Sequence, residues 1–379
     1  MDLRDSAEEA AFRDRLRAWI AANLPASLRG QGTRTEQLEP LRKWSAALSK
    51  AGYGGLTWPQ EYGGGGASHA LDAILLQELA RADAPQHVGA IGLGMAGPTI
   101  MVHGTEAQKS QHLRRILDAE EIWCQGFSEP GAGSDLAAVR TRSELRGDTF
   151  VVNGQKVWSS YAHIADWCIL VTLSDPAAPR YHGLTYMLVD MHSKGVEVRP
   201  LRQITGEADF NEIFLTEVEV PRTNVLGEIG EGWQVAMTTL LHERATLGFA
   251  LTGLLDANVQ ALLRLAGEHP VEADELLGEI AREWIQLQAL QLTAYRSLGE
   301  LDRTGMPGPE GSAIKLAWSE SNQRVTKLAR FLLGEEGVVD DGFWNYQQLR
   351  SRGNTIEAGT SEILRNIIAE RVLGLPRSR

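Results

Sequence analysis

Cysteine is scarce: Cys124 and Cys168 are the 2 in 379 residues. Two cannot build a disulfide framework, so a reducing, cytoplasmic setting is expected. Long apolar runs are also missing. The uncharged stretch Val88–Val102 is broken by Gly89, Gly92, Gly94, Gly97 and Pro98, and is too short and too rich in glycine to span a membrane. The opening residues, Met1 to Glu9, are acidic and have no apolar centre, so they are not expected to act as a signal peptide. Positive charge is in deficit, with 37 Lys+Arg against 49 Asp+Glu and a net charge of −12. Basic patches with interleaved aromatics are absent, which excludes a nucleic-acid scaffold. An anionic ligand would gain nothing from long-range steering here and must be held by local groups.

What is present alternates helix, strand and helix. Phe12, Leu16, Trp19 and Ile20 stand at helical spacing and predict a helix over 6–24, ended by Pro25. Similar spacing predicts helices over 38–50, 70–81 and 107–117. Trp58 to Gly66 reads as a loop from its turn residues. Near Glu121 the period shortens. Thr149–Val152 and Gln155–Trp158 flank Asn153-Gly154, the pair favoured in a type I′ hairpin turn. Residues 169–173, 184–190, 196–201 and 213–220 are further strand candidates. From Trp233 the chain turns helical again, with a long, nearly uncharged helix over 233–265 and others over 272–304, 310–333 and 360–373. The expected fold is α+β: an N-terminal helical domain (1–121), a middle β domain of barrel-like or sandwich form (122–225) and a C-terminal four-helix bundle (226–379).

Gly92-Leu93-Gly94-Met95-Ala96-Gly97 matches the dinucleotide pattern G-x-G-x-x-G, but it sits among helices and has no preceding strand. Close helix packing through small residues explains it better. Phe127-Ser128-Glu129-Pro130-Gly131-Ala132-Gly133-Ser134-Asp135 supports two readings. It can be a turn whose amides and hydroxyls meet an anion, or a glycine-rich turn with capping serines.

The same segment resembles the flavin-binding signature of the acyl-CoA dehydrogenase family. The likeness extends to Gly154-Gln155-Lys156-Val157-Trp158-Ser159-Ser160, to Thr355-Ile356-Glu357-Ala358-Gly359-Thr360-Ser361-Glu362-Ile363 and to Arg365–Gly374, in family order. It implies an FAD enzyme that oxidises acyl-CoA thioesters to 2-enoyl-CoA. By this resemblance the Phe127 backbone and the Ser128 hydroxyl meet the flavin edge, and Ser134 reaches the pyrophosphate and the substrate. Trp158 lies against the ring system, Ser160 bonds near its reactive nitrogen, and Thr360 and Glu362 touch the cofactor.

The family places its catalytic base in one of two positions. Where many members carry Glu just before Gly-Thr, this chain has Ala358, with Glu357 one place early. A second branch carries the base in a Glu-Arg pair on the long helix, and this chain has Leu241-His242-Glu243-Arg244 there. Glu243 shares a helical face with Ala236, Leu240, Leu247, Ala250, Leu254, Ala257 and Ala261, all apolar. Desolvation on such a face would raise its pKa and suit a general base. Glu243 is therefore the expected base and Glu357 the alternative. The Ala358 backbone N–H is expected to polarise the thioester, and Arg244 to assist substrate binding. A buried ion pair is the structural reading of the same helix.

Two family segments that reach a neighbouring subunit's FAD are altered. The expected Arg-x-x-Phe-Gly reads Arg264-Leu265-Ala266-Gly267-Glu268, and the expected Gln-x-x-Gly-Gly reads Phe331-Leu332-Leu333-Gly334-Glu335. A dimer or tetramer is expected: either a heteromer in which a second, related subunit supplies these contacts, or a homodimer whose adenosine contacts are looser or differently made. An electron-transfer flavoprotein or similar acceptor is implied as redox partner. A flavin oxidase of the same fold and a non-catalytic subunit are the alternative functions.

Overall fold

The computed structural model describes residues 5–29, 37–269, 274–304, 308, 310–339 and 342–376, with the backbone alone for 243–247, 249, 274, 275, 302, 338 and 339. Two compact units result: Met1–Gln203 with Glu207–Glu243, and Ile204–Gly206 with Arg244–Arg379. Among the described residues, no helix is long and apolar enough to cross a membrane.

The first unit opens with helices α1 (Ala7–Asn23), α2 (Leu38–Lys50), α3 (His69–Arg81), α4 (Gly97–His103) and α5 (Glu106–Leu117). Capping boxes start α1 at Ser6 and α5 at Thr105. Phe12, Leu16 and Ile20 pack with Leu41, Trp44, Leu48, Ile74, Leu75 and Leu79, so the helical periodicity read in the sequence becomes a core. Gly92–Ala96 forms a wide π-type turn leading into α4. A Cβ on Gly97 would lie 2.3 Å from the Trp58 ring, so this glycine serves close packing rather than a nucleotide.

Seven strands follow: β1 (Trp123–Gly126), β2 (Arg142–Arg146), β3 (Thr149–Ser160), β4 (Trp167–Leu173), β5 (Leu184–Asp190), β6 (Val196–Leu201) and β7 (Phe210–Pro221). They make one sheet in the order β1-β4-β2-β3-β7-β6, with β5 paired to β4. Alternation sorts the side chains. Ile169 and Val171 join the cluster with Trp58, Met95 and Ile116, whereas Cys168 and Leu170 join Phe150, Val152 and Val218 on the other face. Cys124 stands opposite Cys168 in register, and both thiols are free and buried.

The expected hairpin at Asn153-Gly154 is not a turn. β3 runs straight through it, and the β2–β3 turn is at Gly147-Asp148, where Gly147 has φ 65°. Asn153-Gly154 marks a break in the β3–β7 register instead. A Cβ on Gly154 would fall 2.5 Å from the Thr141 Oγ1. The Asn153 side chain bonds both the N–H and the carboxylate of Glu217.

Helix α6 (Gly232–Glu268) begins in the first unit and continues into the second. Its first turns are buried through Val235, Ala236 and Thr239. The Thr239 hydroxyl bonds Thr99 at 2.9 Å and Tyr186 at 3.0 Å. The second unit adds α7 (Asp274–Thr304), α8 (Glu310–Leu333), α9 (Glu336–Val339), α10 (Phe343–Asn354) and α11 (Ser361–Ile367). α11 passes into a π-type turn over Ile368–Val372 rather than continuing as one regular helix.

The α6 face expected to be apolar and buried is corrected in the second unit. Leu254 is 58% exposed and Ala257 is exposed. The core stripe there is Leu251, Leu255, Val259, Leu262 and Leu265, turned well away from that face.

Candidate functional site

In the first unit the glycine-rich loop is a tight turn. Glu129 and Ala132 exchange backbone hydrogen bonds of 2.9 and 3.0 Å. A Cβ on Gly131 or Gly133 would meet nothing within 4 Å, and neither glycine has a positive φ, so the space before this turn is open.

A buried ion pair holds the loop in place. The Lys156 ammonium, fully buried, donates to Glu129 Oε1 at 2.8 Å and to the Phe127 carbonyl at 3.1 Å. Glu129 also accepts from the N–H groups of Arg140 (2.7 Å) and Thr141 (2.8 Å). Burial pulls the Glu129 carboxyl upward. The charge and hydrogen bond of Lys156, with the bonds from Thr141, outweigh burial and hold it below the usual carboxylate range. Burial pulls the Lys156 ammonium down, opposed in part by Glu129.

The pair is tied to β3 a second time, because the Val157 N–H donates to the Ser128 carbonyl at 2.9 Å. The next residue, Trp158, has φ 62° at an irregularity in β3 and is 61% exposed. Its indole meets Phe210 edge-on at 6.2 Å. A large aromatic in a strained backbone and open to solvent is costly unless a ligand uses it. Phe127 is buried, Ser128 and Ser160 are half-buried, and Ser134 is exposed beside Asp135, which pairs with Arg180. Cross-strand neighbours Ser159 and Asn211 each keep a buried oxygen with no partner among the described residues. The first unit thus brings Phe127, Ser128, Trp158 and Ser160 onto one loop–strand junction, with Ser134 at the rim. An exposed flat aromatic, two nearby hydroxyls and open room before a braced turn fit a planar flavin.

Glu243 and Arg244 lie in α6, and their side chains are outside the described residues. Neighbouring His242 is held below its ordinary pKa by burial, then by His103 and His69.

In the second unit, α10 ends at Asn354 and a short loop leads to Thr360, the N-cap of α11, whose hydroxyl accepts from the Ile363 N–H at 3.2 Å. Glu357 is bound by Arg350 at 2.9 and 3.1 Å and by the Asn354 amide at 2.9 Å. Ala358 has φ 50° and Gly359 φ 97°, so the chain turns left-handed there. Glu362 is exposed in the first turn of α11. No group of three or more His, Cys, Asp or Glu able to hold a metal occurs among the described residues.

Glu129 and Lys156 fall within the sequence motifs but carry no role there, and Arg350 lies outside every motif. One signal was available. Lys156 shares strand parity with buried Phe150 and Val152, so a charge was due on an inward face and needed a partner.

Family models match nearly the whole chain: "Acyl-CoA dehydrogenase, N-terminal domain" over residues 6–120, the "middle domain" over 124–218 and the "C-terminal domain" over 230–373. The chain is 41% identical over 377 residues to the acyl-CoA dehydrogenase IpdE1 of Mycobacterium tuberculosis, covering 97% of each. Among solved structures, the Tcur3481-Tcur3483 steroid ACAD matches at TM-score 0.88 and 30% identity, covering 100% of both chains. The ChsE4-ChsE5 complex of Mycobacterium tuberculosis matches at TM-score 0.86 and 28% identity, also covering 100% of both.

Proposed function

The chain belongs to the acyl-CoA dehydrogenase family of flavin-dependent oxidoreductases, and we propose that it uses FAD to convert an acyl-CoA thioester to the 2-enoyl-CoA with Glu243 as base. The observation that carries this reading is the loop–strand junction of the first unit. A buried Lys156–Glu129 pair fixes Phe127 and Ser128 beside an exposed, strained Trp158. When bound there, flavin supplies the acceptor for the hydride leaving Cβ.

The chain's own residues then have separable tasks. Phe127, Ser128, Trp158 and Ser160 would grip the ring system, and Ser134, Thr360 and Glu362 would meet the rest of the cofactor. The Ala358 N–H would donate to the thioester oxygen, which raises the acidity of the α-proton. Glu243 would take that proton, with Arg244 assisting the substrate. Against Glu357 as base stands its engagement by Arg350 and Asn354, whose hydrogen bonds occupy both carboxylate oxygens.

The division into parts 1–121, 122–225 and 226–379 is supported by the spans of the three family matches. A ring-bearing acyl group is supported by the solved steroid ACAD. It is also supported by Gly248 and Gly253 on α6, where a Cβ would make at most an ordinary contact, so packing within this chain does not demand glycine. A heteromer is supported by the altered segments 264–268 and 331–335 and by two-component relatives. An electron-transfer flavoprotein would be the acceptor, in the cytoplasm.

Mixing the purified protein with a panel of acyl-CoA thioesters in the absence of oxygen tests the reading. Bleaching of the flavin's visible absorbance is expected with at least one of them. No bleaching by any thioester, with or without a related second subunit, would overturn it. A homodimer holding tightly bound FAD on each subunit would overturn the heteromer.

A further inference from the structure

We propose that Lys315, on α8, is a positioning residue for the thioester-polarising turn at Ala358. The inference deepens the reading above and rests on the Ala358 N–H as donor. Lys315 is 4% exposed, and its ammonium donates to the carbonyls of Asn354 and Gly359, both at 2.7 Å. These carbonyls stand at the two ends of the loop that carries Ala358. One cation therefore ties the last turn of α10 to the residue just before the cap of α11.

The other bonds of the loop do not do this alone. The Ser361 N–H closes onto the Thr355 carbonyl at 3.0 Å, and the N–H groups of Ile356 and Glu357 return to the Gly353 carbonyl. Glu357 is held from the side by Arg350 and Asn354, and Asn354 is held in turn by Asn322 at 2.9 Å. Between these ties Ala358 and Gly359 adopt positive φ, a conformation that a non-glycine residue keeps only when its surroundings impose it. Neither the Ala358 nor the Gly359 N–H donates a hydrogen bond among the described residues, and Ala358 is exposed. The loop presents donors whose direction depends on two left-handed residues, and Lys315 pins the far side of that turn. A donor aimed in advance at the oxygen that gains charge acts on the transition state more than on binding.

The experiment compares wild type, Lys315→Met and Lys315→Gln as flavin-loaded protein, with its second subunit if it has one. Three quantities are measured: amide hydrogen exchange over residues 353–361 without substrate, the kcat and KM for the best acyl-CoA, and the thermal midpoint. Lys315→Met should speed exchange at Ile356, Glu357 and Ser361, whose N–H groups are hydrogen-bonded within the loop, and lower kcat by roughly 10²-fold, the scale of a misplaced group of this kind. KM should change little, because the lost interaction belongs to the transition state. Lys315→Gln, whose amide can still donate to one carbonyl, should fall between. Wild-type exchange across the loop in Lys315→Met, or a raised KM at unchanged kcat, would overturn the proposal, as would an activity loss no larger than the loss of folded protein. The exchange arm decides the clamp even if no acyl-CoA is turned over, whereas an inactive wild type counts against the functional reading alone.

Discussion

Replacing Lys156 by Met removes the cation that donates to both Glu129 and the Phe127 carbonyl. The methionine fills most of the same volume, so the loss is mainly electrostatic. Glu129, 9% exposed, would keep its two backbone N–H donors but lose its counter-charge, and the Phe127 carbonyl would lose its donor. Breaking one partner out of a buried pair costs about 3–5 kcal/mol, far more than a surface pair. For a unit of this size that is a fall of roughly 10 °C in thermal midpoint. Urea unfolding, followed by tryptophan fluorescence and far-ultraviolet circular dichroism together, gives the free energy. The double variant Glu129→Gln/Lys156→Met removes both charges and should recover part of the loss, for a coupling energy of about 1–3 kcal/mol. Flavin should dissociate more readily from Lys156→Met than from wild type, because Phe127 and Ser128 are what the pair holds. A loss below about 1 kcal/mol, the range of an exposed pair, would refute the reasoning.

Three further outcomes follow from the first unit. His87 is buried, accepting from the Gly89 N–H at Nδ1 (3.0 Å) and donating from Nε2 to the Leu117 carbonyl (3.0 Å), and burial pushes its pKa down to about 4. The unfolded chain then binds a proton that the folded one refuses, so stability should fall as pH drops from about 6.5 to 4, by up to about 3 kcal/mol; a pH series of thermal midpoints in wild type and His87→Gln checks this, and equal slopes would contradict it. Gly97→Ala should destabilise by about 1–3 kcal/mol through the Trp58 ring, as measured by urea unfolding. Gly131→Ala should leave the thermal midpoint unchanged yet weaken flavin retention, since the space its Cβ enters is free of protein; unchanged retention would mean that no ligand approaches that turn.

Much of the helical architecture was legible because apolar residues recur at helical spacing around Leu16, Leu48, Leu75 and Ile116. Elements without that signal were missed. α10 buries Ser351 and Asn354, both polar, and exposes Phe343, so hydropathy shows no stripe. In β2 only Ser143 is buried, and β1 is four residues long. Asn153-Gly154 misled for a different reason. The pair suits a turn by local preference, but pairing with β7 and the close approach of Thr141 keep the strand extended there. On α6 the alanines and leucines in step with Glu243 read as a core stripe, whereas the core is built from Leu251, Leu255 and Val259. At the site, Trp158 was marked by resemblance rather than by pattern. The bracing of Glu129 by Lys156, and of the Ala358 turn by Lys315, joins residues distant in sequence and shows only in three dimensions.

The most direct test of the central claim is the flavin absorbance of Glu243→Gln and Glu357→Gln after anaerobic mixing with an acyl-CoA that bleaches wild type. Glu243→Gln should retain bound flavin and fail to bleach, while Glu357→Gln should still bleach. Full bleaching in Glu243→Gln, or its loss in Glu357→Gln with flavin and folding intact, would contradict the assignment of the base to α6.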